Sequence, residues 1–407
     1  MASTSIAVKK SIGYKPGRRT GMKGKAWVAL LAVGLAGCLA VLAGCSAPPT
    51  EPYVIGGIFS ITGPASYLGD PENKTMELLA GELNAKGGIK GRPVKLVIYD
   101  DEGDVTKARL NVEKLLQKDK ALAIIGPSLT HTSMTVLEVT QKAKLPLISC
   151  AAGVGITAPA AERVWTFKTA QTDQMAVTRI YQYLQKQKKA TVAILTVSTG
   201  FGVSGKEQLL AQAAKFGIEV VAQEVFGEKD SDMTPQLTKI RTTPAQSVIC
   251  WGTGPAPALV AKNMKQLGLT LPLIQSHGAA SKKFIELAGD AGDGILLPAG
   301  KLVVYKLLPD SDPQKAVCKD YDEKYQAKFK TPASSFGGYA YDALKMLTMA
   351  LEKAGSDQEK IRAALESTKN YVGISGIFNM SPEDHNGLTP EAFVMVKIEK
   401  GEFKLLD

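Results

Sequence analysis

Gly200-Phe-Gly-Val-Ser-Gly-Lys-Glu207 has the glycine spacing G-x-G-x-x-G of a dinucleotide turn, and matches a G-x-x-x-x-G-K phosphate loop up to its last position. In either chemistry the glycines let backbone N–H groups approach a phosphate at a helix start. A phosphate loop needs Ser or Thr after the lysine to hold magnesium, and Glu207 would instead repel a triphosphate. As a dinucleotide site the stretch has a ribose acid in Glu219, somewhat closer than usual. An NAD-dependent enzyme is therefore a remote reading, and more remote still for a chain that leaves the cytoplasm.

A second stretch, Ala123–Ser133, offers capture rather than reaction. An apolar run meets Gly126-Pro127, then the hydroxyl residues Ser128, Thr130, Thr132 and Ser133, then a helical pattern through Val139. Strand, tight turn and helix start bring unpaired N–H groups and the positive end of the helix dipole together, which suits the anionic end of a small ligand. Hydroxyls that merely cap the helix would give the same pattern.

Other chemistry is thinly represented. There is no G-x-S-x-G elbow and no H-E-x-x-H, and His131, His277 and His385 are too scattered for a metal site. His385 lies in a polar turn and is expected to be solvated, as is His131; His277 follows an apolar run, at the carboxyl end of a strand. After Cys45 only Cys150, Cys250 and Cys318 remain, an odd number without C-x-x-C, so neither a disulfide framework nor a redox site is expected. No catalytic residue, metal or cofactor is assigned.

The elements that must position these residues alternate. Strands at 53–59, 94–99, 121–125 and 145–149 are separated by amphipathic helices, one of them opened by Asp70 and Pro71 as cap and first residue. This order implies an α/β fold with parallel sheet and helices on both faces, and ligands beyond the carboxyl ends of the strands. The pattern occurs twice. Leu145-Pro-Leu-Ile-Ser returns as Leu271-Pro-Leu-Ile-Gln 126 positions later, and Gly88-Ile89 returns as Gly217-Ile218 after 129. Two unrelated segments with nearly one period argue for two similar lobes, and a length of 407 residues allows them. The section from Pro309 to Ser367 reads as mostly helical.

Seven of the 49 basic residues fall within residues 1–44, which contain no acid, leaving 42 against 39 acidic residues in the body. The high pI is thus a leader effect and gives no case for nucleic acid. Basic residues, an apolar stretch from Ala26 to Gly44 and small residues read as an export signal. Of two Leu-Ala-Gly-Cys tetrads, only the one ending at Cys45 sits where the apolar stretch stops and a Pro-containing tether, 45–51, begins.

That tetrad resembles the bacterial lipoprotein box, in which the cysteine becomes the acylated N-terminus. Together with the doubled α/β pattern, Asn84-Ala-Lys-Gly-Gly-Ile-Lys-Gly91, Tyr99-Asp-Asp-Glu102 and Ile125-Gly126-Pro127, the sequence resembles the type I solute-binding proteins of the Leu/Ile/Val-binding family over about residues 52–407. The resemblance implies two doubly wound parallel-sheet lobes joined by three crossovers near Ala170, Pro298 and Ser375. The first lobe would comprise 52–170 plus 299–374, and the second 171–298 plus 375–407. It further implies a monomer, lipid-anchored to a membrane outside the cytoplasm, that closes on a ligand and delivers it to a membrane ABC permease. A sensory regulator on the same lobes is a second class, disfavoured by the lack of an effector domain.

Carried over by position, the resemblance makes Thr130 the hydroxyl that holds the ligand carboxylate, with Ser128 and Leu129 beside it and main-chain groups from Ala151 and Ala152. The family's Thr one place later is Gly153 here, retaining an N–H but no hydroxyl. Phe201, Phe336, Tyr67 and Leu68 supply walls, Thr253 stands where a Tyr is usual, and His277 aligns with the acid that takes an α-ammonium. A buried ammonium without a counter-charge is costly, whereas a carboxylate facing imidazolium or an imidazole N–H is not. The expected ligand is a small carboxylate, an organic or aromatic acid lacking an amine; the alternative is a branched-chain or other apolar amino acid, with Asp173 or another acid replacing the lost charge.

Overall fold

The runs Tyr53–Phe59 and Thr191–Val197 are apolar along almost their whole length rather than alternating, as strands covered on both faces must be. The computed structural model, which describes residues 51–406, buries both in that way. The signal stretch, Cys45 and most of the tether lie outside the described residues. Among the described residues no helix is long and apolar enough to cross a membrane.

Fourteen strands form two large sheets and one small ribbon among the described residues. β1 (Tyr53–Phe59), β2 (Val94–Asp100), β3 (Ala123–Ile125), β4 (Leu147–Ser149) and β5 (Thr166–Lys168) form a parallel sheet in the order β2-β1-β3-β4-β5. The second sheet uses β6 (Thr191–Val197), β7 (Glu219–Phe226), β8 (Ser247–Trp251), β9 (Leu273–Gln275) and β10 (Leu296–Gly300), all parallel. A short ribbon pairs β11 (Tyr371–Val372) with β12 (Ile377–Phe378). β13 (Phe393–Glu399) and β14 (Glu402–Leu405) then extend the second sheet antiparallel from β10, giving the order β14-β13-β10-β9-β8-β6-β7.

Helices cover both faces of each sheet. On the first, helices Ser66–Ala85 and Ser335–Ala354 pack against one face around Met76, Phe336 and Leu347, while Val105–Gln117 and Thr130–Ala143 cover the other around Val112 and Val136. On the second, Asp173–Lys186 and Gly200–Ala213 bury Ile180 and Leu209 on one side, and Ala256–Gln266 and Lys282–Ala288 bury Val260 and Phe284 on the other. The late helical section therefore completes the first layer. The chain leaves the first sheet after Lys168 and remains in the second through Gly300. Phe378, Met380 and Leu388 still belong to the first core, so the final passage to the second sheet comes between Ala392 and Phe393, a later point than Ser375.

Two local expectations are corrected. The helix expected to open at Asp70-Pro71 begins at Ser66, because Ser66 and Leu68 donate their N–H groups to the carbonyls of Gly63 and Ala65 and wind the chain earlier. Pro71 then lies in the second turn, where it forfeits one helical hydrogen bond. His385, expected in solvent, is buried: it stacks on Phe167 at 4.2 Å, and its ring nitrogens meet the carbonyls of Arg163 and Thr166 and, at 3.3 Å, the Glu366 carboxylate.

The glycines of 200–207 serve packing. A Cβ at Gly202 would stand 1.7 Å from the Val197 carbonyl oxygen, and one at Gly205 would stand 2.1 Å from Nε1 of the buried Trp251. They let the helix Gly200–Ala213 lie directly on β6 and β8, and Glu219 is exposed at the far, amino-terminal end of β7. Gly205→Ala is expected to lower stability by about 1–3 kcal/mol through overpacking against Trp251, measured as a shift of the urea midpoint.

Candidate ligand-binding site

The hydroxyls of Ser128–Ser133 do not cap their own helix. Leu129 occupies the cap position of Thr130–Ala143 without a side-chain bond. Ser128 accepts the Ser60 N–H at 3.1 Å and donates to the Glu72 carboxyl. Thr132 donates to the Leu129 carbonyl, and Ser133 pairs with Ser149 at 2.8 Å. Thr130, the first residue of the helix, accepts the Gly153 N–H at 3.3 Å, leaving its hydroxyl proton available for a further acceptor. Its own backbone N–H has no intrahelical carbonyl to meet.

At this helix start, beyond the carboxyl ends of the strands of both sheets, lies a cavity. From the first sheet's side it is lined by Leu68, Ser128, Leu129, Thr130, Ala151, Ala152 and Phe336, and from the second's by Phe201, Thr253 and His277. Tyr67 and Gly153 stand just outside the lining. Tyr67 spans the seam: its hydroxyl accepts the Gly254 N–H at 2.7 Å and lies 3.5 Å from the Gly278 carbonyl, while its ring meets Phe336 edge-on. Gly153 backs Thr130 so closely that a Cβ there would come 2.4 Å from Thr130 Cγ2. The N–H groups of Gly153 and Ala151 are taken by Thr130 and Ser149, so the main-chain donors expected from that loop are in part already used.

Sequence reasoning missed Glu72, Cys150, Gly278 and Tyr339, which also line the cavity. Glu72 lies one helical turn beyond Leu68, and Tyr339 three residues beyond Phe336, so helical spacing from assigned positions would have found both.

Two buried ionisable groups stand behind the cavity. Lys168, fully buried at the end of β5, donates its ammonium to the carbonyls of Ala152 at 2.6 Å and Gly153 at 3.0 Å. Asp173 opens the helix Asp173–Lys186 and is also fully buried. Burial lowers the lysine pKa and raises that of the aspartate, and each opposite charge pulls its partner back towards ionisation. Lys168 and Asp173 are therefore electrostatic counterparts.

His277 is packed among Phe201, Trp251 and Phe393, with ring centroids 5.3 to 5.7 Å away, and its Nε2 is 3.8 Å from Asp173 Oδ1. Burial first, then the positive charge of Lys168, lower its pKa to about 3. The ring is thus neutral, which removes the imidazolium form of the expected contact and leaves an imidazole N–H or lone pair. His131 lies outside the cavity lining, half-buried, with Nε2 3.0 Å from the Gly103 carbonyl.

Residues 52–402 match the periplasmic binding protein family. The chain belongs to that family. The Leu/Ile/Val-binding protein BraC3 of Rhizobium johnstonii is 25% identical over 354 residues, covering 86% of this chain and 92% of its own. An extracellular ligand-binding receptor from Rhodopseudomonas palustris HaA2 superposes with a TM-score of 0.82 at 28% identity, covering 87% of this chain and 99% of its own. A solute-binding protein of an R. palustris ABC transporter, solved in complex with benzoate, shares the fold with a TM-score of 0.75 at 21% identity over 87% of this chain and 95% of its own. This periplasmic binding protein is accordingly an exported ligand-binding receptor of the branched-chain amino acid transporter type.

A depressed histidine pKa has a definite sign. Above pH 6.5 His277 is neutral in folded and unfolded chains alike and contributes nothing to pH dependence; as the pH falls from 6.5 towards 3 only the unfolded chain gains the proton, so stability is lost. The His277 ring signals in an NMR titration are expected to stay unchanged between about pH 5 and 8, while His277→Gln removes its part of the acid destabilisation seen in urea midpoints.

Proposed function

We propose that this periplasmic binding protein is the receptor of an ABC importer for a small carboxylate, favoured as an organic or aromatic acid, and that it acts by closure without chemistry. The supporting observation is the composition of the cavity: Thr130 with its free hydroxyl proton at a helix start, Lys168 behind Ala152 and Gly153, a neutral His277, and otherwise aromatic and aliphatic walls. An anion is favoured there because the helix end and the ammonium contribute positive potential without an exposed cation that would need its own partner. The aromatic pair Phe201 and Phe336, one from each side, suits a flat ring between them.

The proposed cycle uses the seam. The carboxylate docks on the Thr130 side, and closure then brings Phe201, Thr253 and His277 against the rest of the ligand. Tyr67 to Gly254, and the Val154 N–H to Ser204 Oγ at 3.3 Å, are contacts of the closed form. Closure is a shift in population towards the form in which these contacts exist, and a membrane ABC permease would read that outline. Cys45 is proposed as the acylated N-terminus; several acyl chains hold a protein on a membrane where one does so only marginally.

An apolar amino acid is the second reading, favoured by the Glu72 carboxyl in the cavity and by the name of the Rhizobium relative. Calorimetry of the purified protein with benzoate and with leucine separates the two: benzoate is expected to bind, and tight leucine binding without benzoate binding would remove the organic-acid reading. Thr130→Val is expected to weaken carboxylate binding by about 10- to 100-fold, the effect of removing one hydrogen bond to a buried charge. Cys45→Ala is expected to move the protein from the membrane fraction to the soluble exported fraction on cell fractionation.

A further inference from the structure

Apart from the Thr130 corner, the cavity's polar side chains are mostly committed elsewhere. Tyr339 donates its hydroxyl to Gln171 Oε1 at 3.0 Å, and Ser128 is occupied by the Ser60 N–H and by Glu72. Glu72 differs. It is 1% exposed and lines the cavity, and Ser128 is the hydrogen-bond partner of its carboxyl group among the described residues, at Oε2. One carboxyl oxygen is therefore satisfied and the other is left to whatever fills the cavity.

We propose that the Glu72 carboxyl is a second polar anchor of the cavity, and that it takes an uncharged oxygen, a hydroxyl or ether, at the end of the ligand remote from its carboxylate. This rests on the receptor reading above and narrows its ligand class to oxygen-substituted aromatic acids. The two anchors belong to separate hydrogen-bond systems: Thr130 joins Gly153 with Lys168 behind it, while Glu72 joins Ser128, Ser60 and Asp101. Burial and the nearby Asp101 both push the Glu72 pKa well up, Ser128 pulls it back only in part, and no cation acts on it. Burial thus favours its neutral carboxylic acid form. In that form, with Oε2 accepting from Ser128, its O–H is a donor with no acceptor among the described residues, and an uncharged ligand oxygen satisfies it without adding charge. A second carboxylate would bring another buried negative charge beside Asp101, and an ammonium would require Glu72 to lose its proton.

The test is titration calorimetry of the purified protein and of Glu72→Gln and Glu72→Leu with benzoate, 3-hydroxybenzoate, 4-hydroxybenzoate and leucine. Each titration is run in two buffers of different ionisation enthalpy to count protons. The native protein is expected to prefer at least one hydroxybenzoate over benzoate by about tenfold or more, with no proton released. Glu72→Gln, which can still donate and accept, keeps the preference, and Glu72→Leu brings the ratio near one. Equal binding of benzoate and both hydroxybenzoates by the native protein, or a preference that survives Glu72→Leu, overturns the role of Glu72 and leaves the receptor reading standing. Leucine binding that releases a proton and is lost in both variants assigns Glu72 to an ammonium and overturns the proposal. Binding of leucine alone, with no aromatic acid, overturns the organic-acid reading and this inference together. Should the leucine variant fail to fold, the native ratio and proton count still decide.

Discussion

On the proposed reading a small anion is enclosed and loses its hydration, and the site depends on how that loss is offset. The ammonium that could do so, Lys168, is not in the cavity but behind it, bonded to the carbonyls of Ala152 and Gly153. Its long-range field reaches the site while its hydrogen bonds are satisfied by the backbone. Asp173 opposes the loss of charge that complete burial favours in the lysine. A buried pair of this kind contributes little net stability but places charge where a solvated lysine could not hold it. Burial, and then the same field, make His277 harder to protonate, so the ring stays an uncharged part of the wall.

Backbone close approach is the second constraint. The helices that begin at Gly200 and Thr130 must reach the seam with their amino ends, and Gly202 and Gly205 allow the first of them to sit against Val197 and Trp251. Gly153 serves the second, since any side chain there would displace Thr130. A glycine spacing that superficially matches nucleotide-binding turns is thus explained by contact between a helix and the strands beneath it.

Much of this was legible in the sequence because the signals were local. Apolar runs of strand length, the repeated Leu-Pro-Leu-Ile segment and the alternation of strand and helix led to two parallel sheets with helices on both faces. Ten of the twelve residues assigned to the ligand site line one cavity; they lie at strand ends or helix starts, where position along the chain dictates position in space. The remainder depended on contacts between distant segments. Glu72 was hidden by a helix that starts five residues before its proline, His385 by an aromatic stack on Phe167, and the charge state of His277 by its burial and by Lys168, more than a hundred residues away in sequence. Neither periodicity nor spacing encodes such encounters.

Thr130, Ala152 and Lys168 all belong to the first sheet or to the loops at its strand ends, and the bonds of Lys168 to Ala152 and of Gly153 to Thr130 are made within that side. On the proposed reading, the electrostatic half of the recognition already exists while the cleft gapes. Arrival of the solute is then governed by diffusion to a fixed positive corner, and its escape by how long the opposite wall stays shut. Residues of that opposite wall can be exchanged during evolution to admit a new solute without rebuilding the corner at which every solute first lands.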